Sequence, residues 1–213
     1  MLKVSNTSVM NFENAMRGAR NPMDSWARSD SRTEADGRFV FGPNDLDLAR
    51  RLCRSGSDHR KFIRQILVCA DFTAPLYWWK EYDTYKVATV ANSTSTMHKL
   101  HAYPFRAEQF SCEKLSSAGR ERFESLLAYL EQLRVRFNET KDKALWYEIV
   151  QLLPESFNQL RTCTLNYETL VNIYASRRNH KLDEWHAFCA WIETLPYAKE
   201  LIVDTALGAD APQ

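Results

Sequence analysis

Between residues 66 and 72 the chain alternates: Ile66, Val68, Ala70 and Phe72 fall on one side, Leu67, Cys69 and Asp71 on the other. That period of two predicts a strand with one face in the core. Residues 84–90, TYKVATV, are rich in β-branched and aromatic types and predict a second strand before the segment NSTST. Elsewhere the apolar spacing is three and four. Leu46, Ala49, Leu52 and Cys53 share one face of a helix over 44–54 that stops at Gly56. Ser116 or Ser117 caps a longer helix carrying Phe123, Leu126, Leu127, Leu130, Leu133 and Phe137. A shorter helix over 144–153 is closed by Pro154. Two more are expected over 167–178, using Leu170, Ile173 and Tyr174, and over 183–195, using Trp185, Phe188, Cys189 and Ile192. Helices outnumber strands and are not regularly interleaved with them, so the expected class is α+β with a helix-rich C-terminal half.

The chain of 213 residues is long enough to close a core without disulfides, and it shows no internal repeat and no linker, so one α+β domain over 1–213 is expected. The polar stretch 29–38, SDSRTEADGR, reads as a mobile loop inside it. The 28 basic and 27 acidic residues leave a net charge of +1, which removes the bulk field that drives non-specific binding to nucleic acid or anionic membranes. Any polyanion site must be local. Five scattered cysteines without a C-x-x-C pair argue against a zinc ribbon or a disulfide framework and point to a reducing cytoplasm. No apolar run approaches the roughly 20 residues of a membrane-spanning helix, and the N-terminus lacks the pattern of a secretory signal.

Three stretches can carry chemistry. Arg50, Arg51, Arg54, Arg60, Lys61 and Arg64 surround the turn RSGSDHRKF, where they suit a phosphate as well as a solvated surface. Residues 74–99 join Tyr77, Trp78 and Trp79 to Lys80, Lys86, Asn92, Ser95 and His98, a mixture able to hold a planar phosphorylated ligand or, more simply, an aromatic core edge followed by a turn. Arg177, Arg178, His180 and Lys181 cluster at a helix C-terminus, which the helix dipole alone favours. The Rossmann, P-loop, α/β-hydrolase and zincin motifs are missing, and the five histidines show no metal spacing, so no metal site is assigned.

The order of these pieces resembles the flavin-dependent thymidylate synthases, in particular divergent phage-type or bacterial members. Residues 58–62, DHRKF, are similar to the family's E-H-x-x-F lead-in to a strand, and NSTSTMH is similar to the end of R-H-R-x-x-S-x-N-E-x-S-x-R-Y, with Asn92 on its Asn and Ser95 on its second Ser. In that register Tyr85, Lys86 and Val87 stand where the family has R-H-R. In an alternative register Trp78, Trp79 and Lys80 stand there, with an insertion before Asn92. Downstream, Leu152–Leu153–Pro154, N-Y-E-T-L-V-N-I from Asn166, Arg177 and Glu184–Trp185 resemble the family's L-P, N-x-R-S-L-x-N-F, Arg and Q-W series, with Glu168 replacing the arginine of N-x-R-S-L.

The resemblance implies an α+β fold with a mixed sheet, assembled as a homotetramer, with FAD and a deoxyuridine nucleotide bound between subunits. It implies one-carbon transfer from methylenetetrahydrofolate to uracil C5, with NADPH as a further cofactor. The positions it assigns to the cofactor are His59, Asn92, Asn166 and Arg177; Lys80, Lys86, Ser95 and Arg178 are assigned to the substrate, and no residue is assigned as nucleophile. The rival class is a non-catalytic protein that keeps the fold and holds a nucleotide or a partner; nucleic acid fits less well, because few aromatics interleave with cations and the net charge is near zero.

Overall fold

The computed structural model describes residues 1–208. In chain order it contains β1 (Lys3–Met10), α1 (Phe12–Arg20), β2 (Arg32–Thr33), β3 (Phe39–Val40), α2 (Pro43–Arg54), a 3₁₀ turn (Arg60–Gln65), β4 (Leu67–Pro75), α3 (Leu76–Tyr82), β5 (Val90–Ser93), α4 (Ser117–Thr140), α5 (Lys143–Leu152), β6 (Asn158–Asn166), α6 (Tyr167–Arg177), α7 (Asp183–Glu193), a π turn (Lys199–Val203) and α8 (Asp204–Gly208). Four strands form one sheet in the order β1-β4-β6-β5, and β2 pairs antiparallel with β3 as a separate hairpin. The class is α+β, a mixture of helix and sheet. Among the described residues no helix is long and apolar enough to cross a membrane, and the five cysteines are free thiols.

The chain divides into two compact units. The first comprises Met1–Lys3, Asp71–Thr84 and Ala91–Thr162, and the second comprises Val4–Ala70, Tyr85–Val90 and the chain from Cys163 onward. In the first unit α4 and α5 close over Leu100, Phe105, Phe110, Leu130, Leu133, Leu145 and Ile149. Ser116 starts α4 by accepting a hydrogen bond from Gly119 N, and Asp142 starts α5 by accepting one from Ala144 N. Trp78, Trp79 and Tyr82 are buried and meet at ring centroid distances of 4.8 to 5.2 Å. They lie on α3, not on a strand, so the helical period carries adjacent tryptophans into one interior.

In the second unit the alternation of β4 buries Val68 and Ala70. Phe12, Phe39, Phe41, Tyr167 and Tyr197 form an aromatic cluster, with Phe12 and Phe39 stacked at 5.5 Å. Helix α2 has no capping side chain of its own. Asp30 supplies one from the 29–38 segment, accepting from Asn44 N at 2.9 Å and Asp45 N at 3.0 Å. That approach requires glycine at 42, where a Cβ would come within 2.2 Å of Asp30 Cγ. The strand expected over 84–90 is absent: 84–89 is turn and irregular chain, and β5 begins only at Val90. Ala88 sits at φ 56, outside strand geometry, and Thr89 Oγ1 bonds back to the Tyr85 carbonyl.

Candidate functional site

The second unit gathers five of the residues assigned by resemblance: His59, Lys86, Asn166, Arg177 and Arg178. His59 is exposed immediately before the 3₁₀ turn, and its N–H donates to the Gly56 carbonyl. Asn166 is buried and ends β6; its Oδ1 accepts from Thr169 N at 2.8 Å and lies 3.0 Å from Thr169 Oγ1, which caps α6. Thr169 Oγ1 also reaches the Val87 carbonyl at 3.2 Å, tying the 85–90 segment to the start of α6. The side-chain oxygen of Asn166 is therefore a helix cap first.

Arg177, in the last turn of α6, donates from Nε to Tyr85 Oη at 2.8 Å. Its guanidinium carbon lies 4.8 Å from the Trp185 ring centre and 5.5 Å from that of Tyr85. Two aromatic faces thus hold the cation. His180 accepts at Nδ1 from Leu182 N and packs edge-on to Trp185. Arg178 follows at the helix end, half-buried, and Lys86 is exposed. At the other end of α6, Arg60 Nε lies 3.0 and 3.1 Å from the two carboxylate oxygens of Glu168, both side chains being mostly buried. Nearby, burial pushes the Cys53 thiol up to about 11, with Thr205 and Arg60 pulling the other way.

The first unit holds Lys80, Asn92 and Ser95. Lys80 pairs with Glu155, both exposed. Asn92 is exposed on β5. Ser95 Oγ accepts from His98 N at 2.9 Å and Met97 N at 3.2 Å, forming a tight turn, and still has its own O–H to donate. Ser95 lines a recess of about 390 Å³ with Thr94, Lys99, Leu100, Tyr103, Phe105, Gln109 and Phe157. That volume lies within the range of small-molecule sites. Behind β5, Gln159 donates from Nε2 to the Thr94 carbonyl at 2.7 Å, and its Oε1 accepts from Arg161 Nε. Arg161 then binds Asp83 at 2.7 Å and lies 4.2 Å over the Trp79 ring. Trp78 and Trp79 are buried packing residues and offer no ring face for a stacked ligand.

No family model matches the chain, and no curated protein matches it in sequence. Among solved structures the likeness is full-length. Thymidylate synthase X from Helicobacter pylori, crystallised with FAD and dUMP, superposes with a TM-score of 0.70 at 18% identity, covering 97% of this chain and 99% of that one. A second crystal structure of the flavin-dependent enzyme from the same organism, also with FAD and dUMP, gives 0.68 at 20% identity over 95% and 99% of the two chains. This is the flavin-dependent thymidylate synthase fold. A UMP/dUMP methylase, PolB from Streptomyces cacaoi, bound with 5-Br dUMP, superposes on it with a TM-score of 0.58 at 13% identity over 96% and 94%.

Within the flavin-dependent thymidylate synthase fold, the Arg60–Glu168 pair and the Tyr85–Arg177–Trp185 stack have no signature in the sequence. Arg60 is one of six cations in a basic run, and nothing in its spacing marks it as the one that turns inward. Arg161 and Gln159 carry no sequence signal at all, because each is a polar residue on a strand that alternates polar and apolar positions on both faces.

Proposed function

We propose that this protein is a flavin-dependent enzyme that transfers a one-carbon group, as methyl or hydroxymethyl, to C5 of a deoxyuridine or related pyrimidine nucleotide. The observation that carries the reading is the full-length likeness to enzymes crystallised with FAD and dUMP. The donor set of the second unit fits an anionic aromatic cofactor: Lys61, Arg64 and His59 are exposed around the 3₁₀ turn, and Arg60 is fixed beside them. His59 and Arg177 would contact the cofactor there, and Asn166 would set the backbone at the start of α6; on the first unit, taken by itself, Asn92 is a proposed cofactor contact. Bound there and reduced, FAD would supply the hydride that a methyl transfer from methylenetetrahydrofolate to uracil C5 requires, with NADPH proposed as a further cofactor.

The chain's own part is orientation and charge. Ser95 presents an O–H whose direction is fixed by the two N–H groups its oxygen accepts. On the second unit Lys86 and Arg178 would supply positive charge for a nucleotide phosphate; on the first unit, taken by itself, Lys80 is a proposed substrate contact, each lysine a point charge without the bidentate geometry of arginine. A homotetramer in the cytoplasm completes the reading.

A second reading, a non-catalytic protein that binds a nucleotide or a partner, is favoured by the engagement of the cations: Lys80 is paired with Glu155, and Arg177 is held by Tyr85 and Trp185. The visible spectrum of the purified protein with added FAD, followed by thermal unfolding with dUMP, separates the two. Flavin at about one per chain and a dUMP-dependent rise in Tm support the enzyme. Absence of both removes it.

A further inference from the structure

We propose that Arg60 is an oxyanion-binding residue, its guanidinium aimed by Glu168 so that Nη1 and Nη2 form a fork for a phosphate or diphosphate group. Among the described residues every side-chain hydrogen bond of Arg60 leaves from Nε, and both go to Glu168, while its backbone N–H donates to the Gly56 carbonyl. The side chain is only 14% exposed and its partner 12%. A guanidinium carries five N–H donors, and leaving four of them idle in so sheltered a place is costly unless water or a ligand takes them. Neither Nη belongs to the buried polar atoms that lack a partner, so both reach solvent.

Arg60 is held from two sides. The 3₁₀ turn anchors its backbone through buried Phe62 and Ile63, and Glu168 sits in the first turn of α6, where the helix dipole favours a carboxylate. A pair made only to join two elements would be expected to spend the Nη groups on the carboxylate, because that is the bidentate geometry guanidinium and carboxylate prefer. Here Nε does the joining and neither Nη hydrogen-bonds Glu168. The resemblance places an arginine at position 168; this chain has Glu168 there, paired with the cation of Arg60. The ligand class follows from the geometry: two oxygens of one tetrahedral anion opposite two parallel N–H groups. Its source, the diphosphate of FAD or the phosphate of the pyrimidine nucleotide, rests on the function proposed above; the fork does not.

The test compares wild type with Arg60→Gln/Glu168→Gln, a neutral pair of similar shape that avoids stranding one charge, and with Arg60→Lys and Glu168→Gln alone. Folding is checked by circular dichroism. Binding is read by thermal shift and calorimetry with inorganic pyrophosphate, with FAD against riboflavin, and with dUMP against deoxyuridine. Pyrophosphate should stabilise wild type and bind the double variant at least tenfold more weakly. Arg60→Lys should recover part of the loss, and Glu168→Gln should weaken binding although the cation remains. A loss confined to FAD, with riboflavin unchanged, assigns the flavin diphosphate; a loss confined to dUMP, with deoxyuridine unchanged, assigns the nucleotide phosphate. Wild type that takes up pyrophosphate through Arg60 but neither FAD nor dUMP keeps the fork and overturns the flavin reading. Equal binding of pyrophosphate, FAD and dUMP by wild type and the double variant overturns the proposal, as does equal loss of the phosphorylated and unphosphorylated ligands, or no pyrophosphate binding by wild type.

Discussion

Two side chains show how much a single buried charge can decide. Asp45 is fully buried and Arg20 is 4% exposed, and they meet at 2.5 Å. Burial pushes the Asp45 carboxyl up, but hydrogen bonds from Ser31, Ser29 and Arg20 outweigh it and hold the group below its usual 3.8. Arg20 adds bonds to the carbonyls of Ser25 and Arg28, so the pair fixes the chain on either side of it. Asp45→Asn would leave a guanidinium buried without its counter-ion, and an unfolding midpoint in urea should report a loss of about 3–5 kcal/mol. Replacing both by Met and Leu should cost much less. The pair is not legible in the sequence: the spacing puts Asp45 on the stripe of Ala49 and Cys53, but nothing in the sequence marks Arg20 as its partner. Asn166 is legible for a different reason than the one that matters first. Its place in an N-x-x-x-L pattern suggests ligand contact, while its Oδ1 caps α6. Asn166→Ala should lower stability by about 1 kcal/mol, and Asn166→Asp, which keeps the acceptor, should restore most of it in the same melt.

At the scale of elements, the helices of the C-terminal half follow from their spacing because each buries one apolar stripe: α4 and α5 begin within a residue of the expected positions, capped by Ser116 and Asp142. Strands β1 and β6 do not, and the reason is physical. Strand β1 leaves most of its residues exposed, so it has no apolar alternation to read. Strand β6 buries Gln159 on the same face as Cys163 and Leu165, while Leu160 is exposed. Gln159 is tolerated there because both ends of its amide are bonded, to the Thr94 carbonyl and to Arg161, and its own carbonyl accepts from Trp79 Nε1. Gln159→Leu keeps the volume but removes the donor to the Thr94 carbonyl and the acceptor of Arg161 Nε. Unfolding by denaturant should show a loss of about 2–4 kcal/mol, from roughly 1–3 kcal/mol for each polar group left without its partner. A variant as stable as wild type would mean that Arg161 is held by Asp83 and Trp79 alone.

For the molecule as a whole, 18–20% identity is enough to keep a fold over nearly its full length, because the fold asks for apolar positions and caps rather than for particular side chains. The same burial that secures the fold also fixes its response to alkali. Burial pushes the thiols of Cys53 and Cys189 up from 9.0 to about 11, Glu193 adding to the effect at Cys189, and burial with the Glu193 hydrogen bond pushes Tyr174 up to about 12. Tyr167, buried within the aromatic cluster, moves the same way. In the unfolded chain the thiols ionise near 9, so above that pH the unfolded state binds fewer protons than the native one and stability falls as pH rises. The loss begins near pH 9 and is complete for each thiol by about pH 11, amounting to about 3 kcal/mol apiece. All four groups belong to the second unit. Melting wild type at pH 8, 9, 10 and 11 should therefore give a falling Tm, and Cys53→Ala should flatten that fall while lowering the plateau at pH 8 through lost packing. A pH dependence unchanged in Cys53→Ala would show that the native thiol ionises as readily as the unfolded one and is not sealed from water.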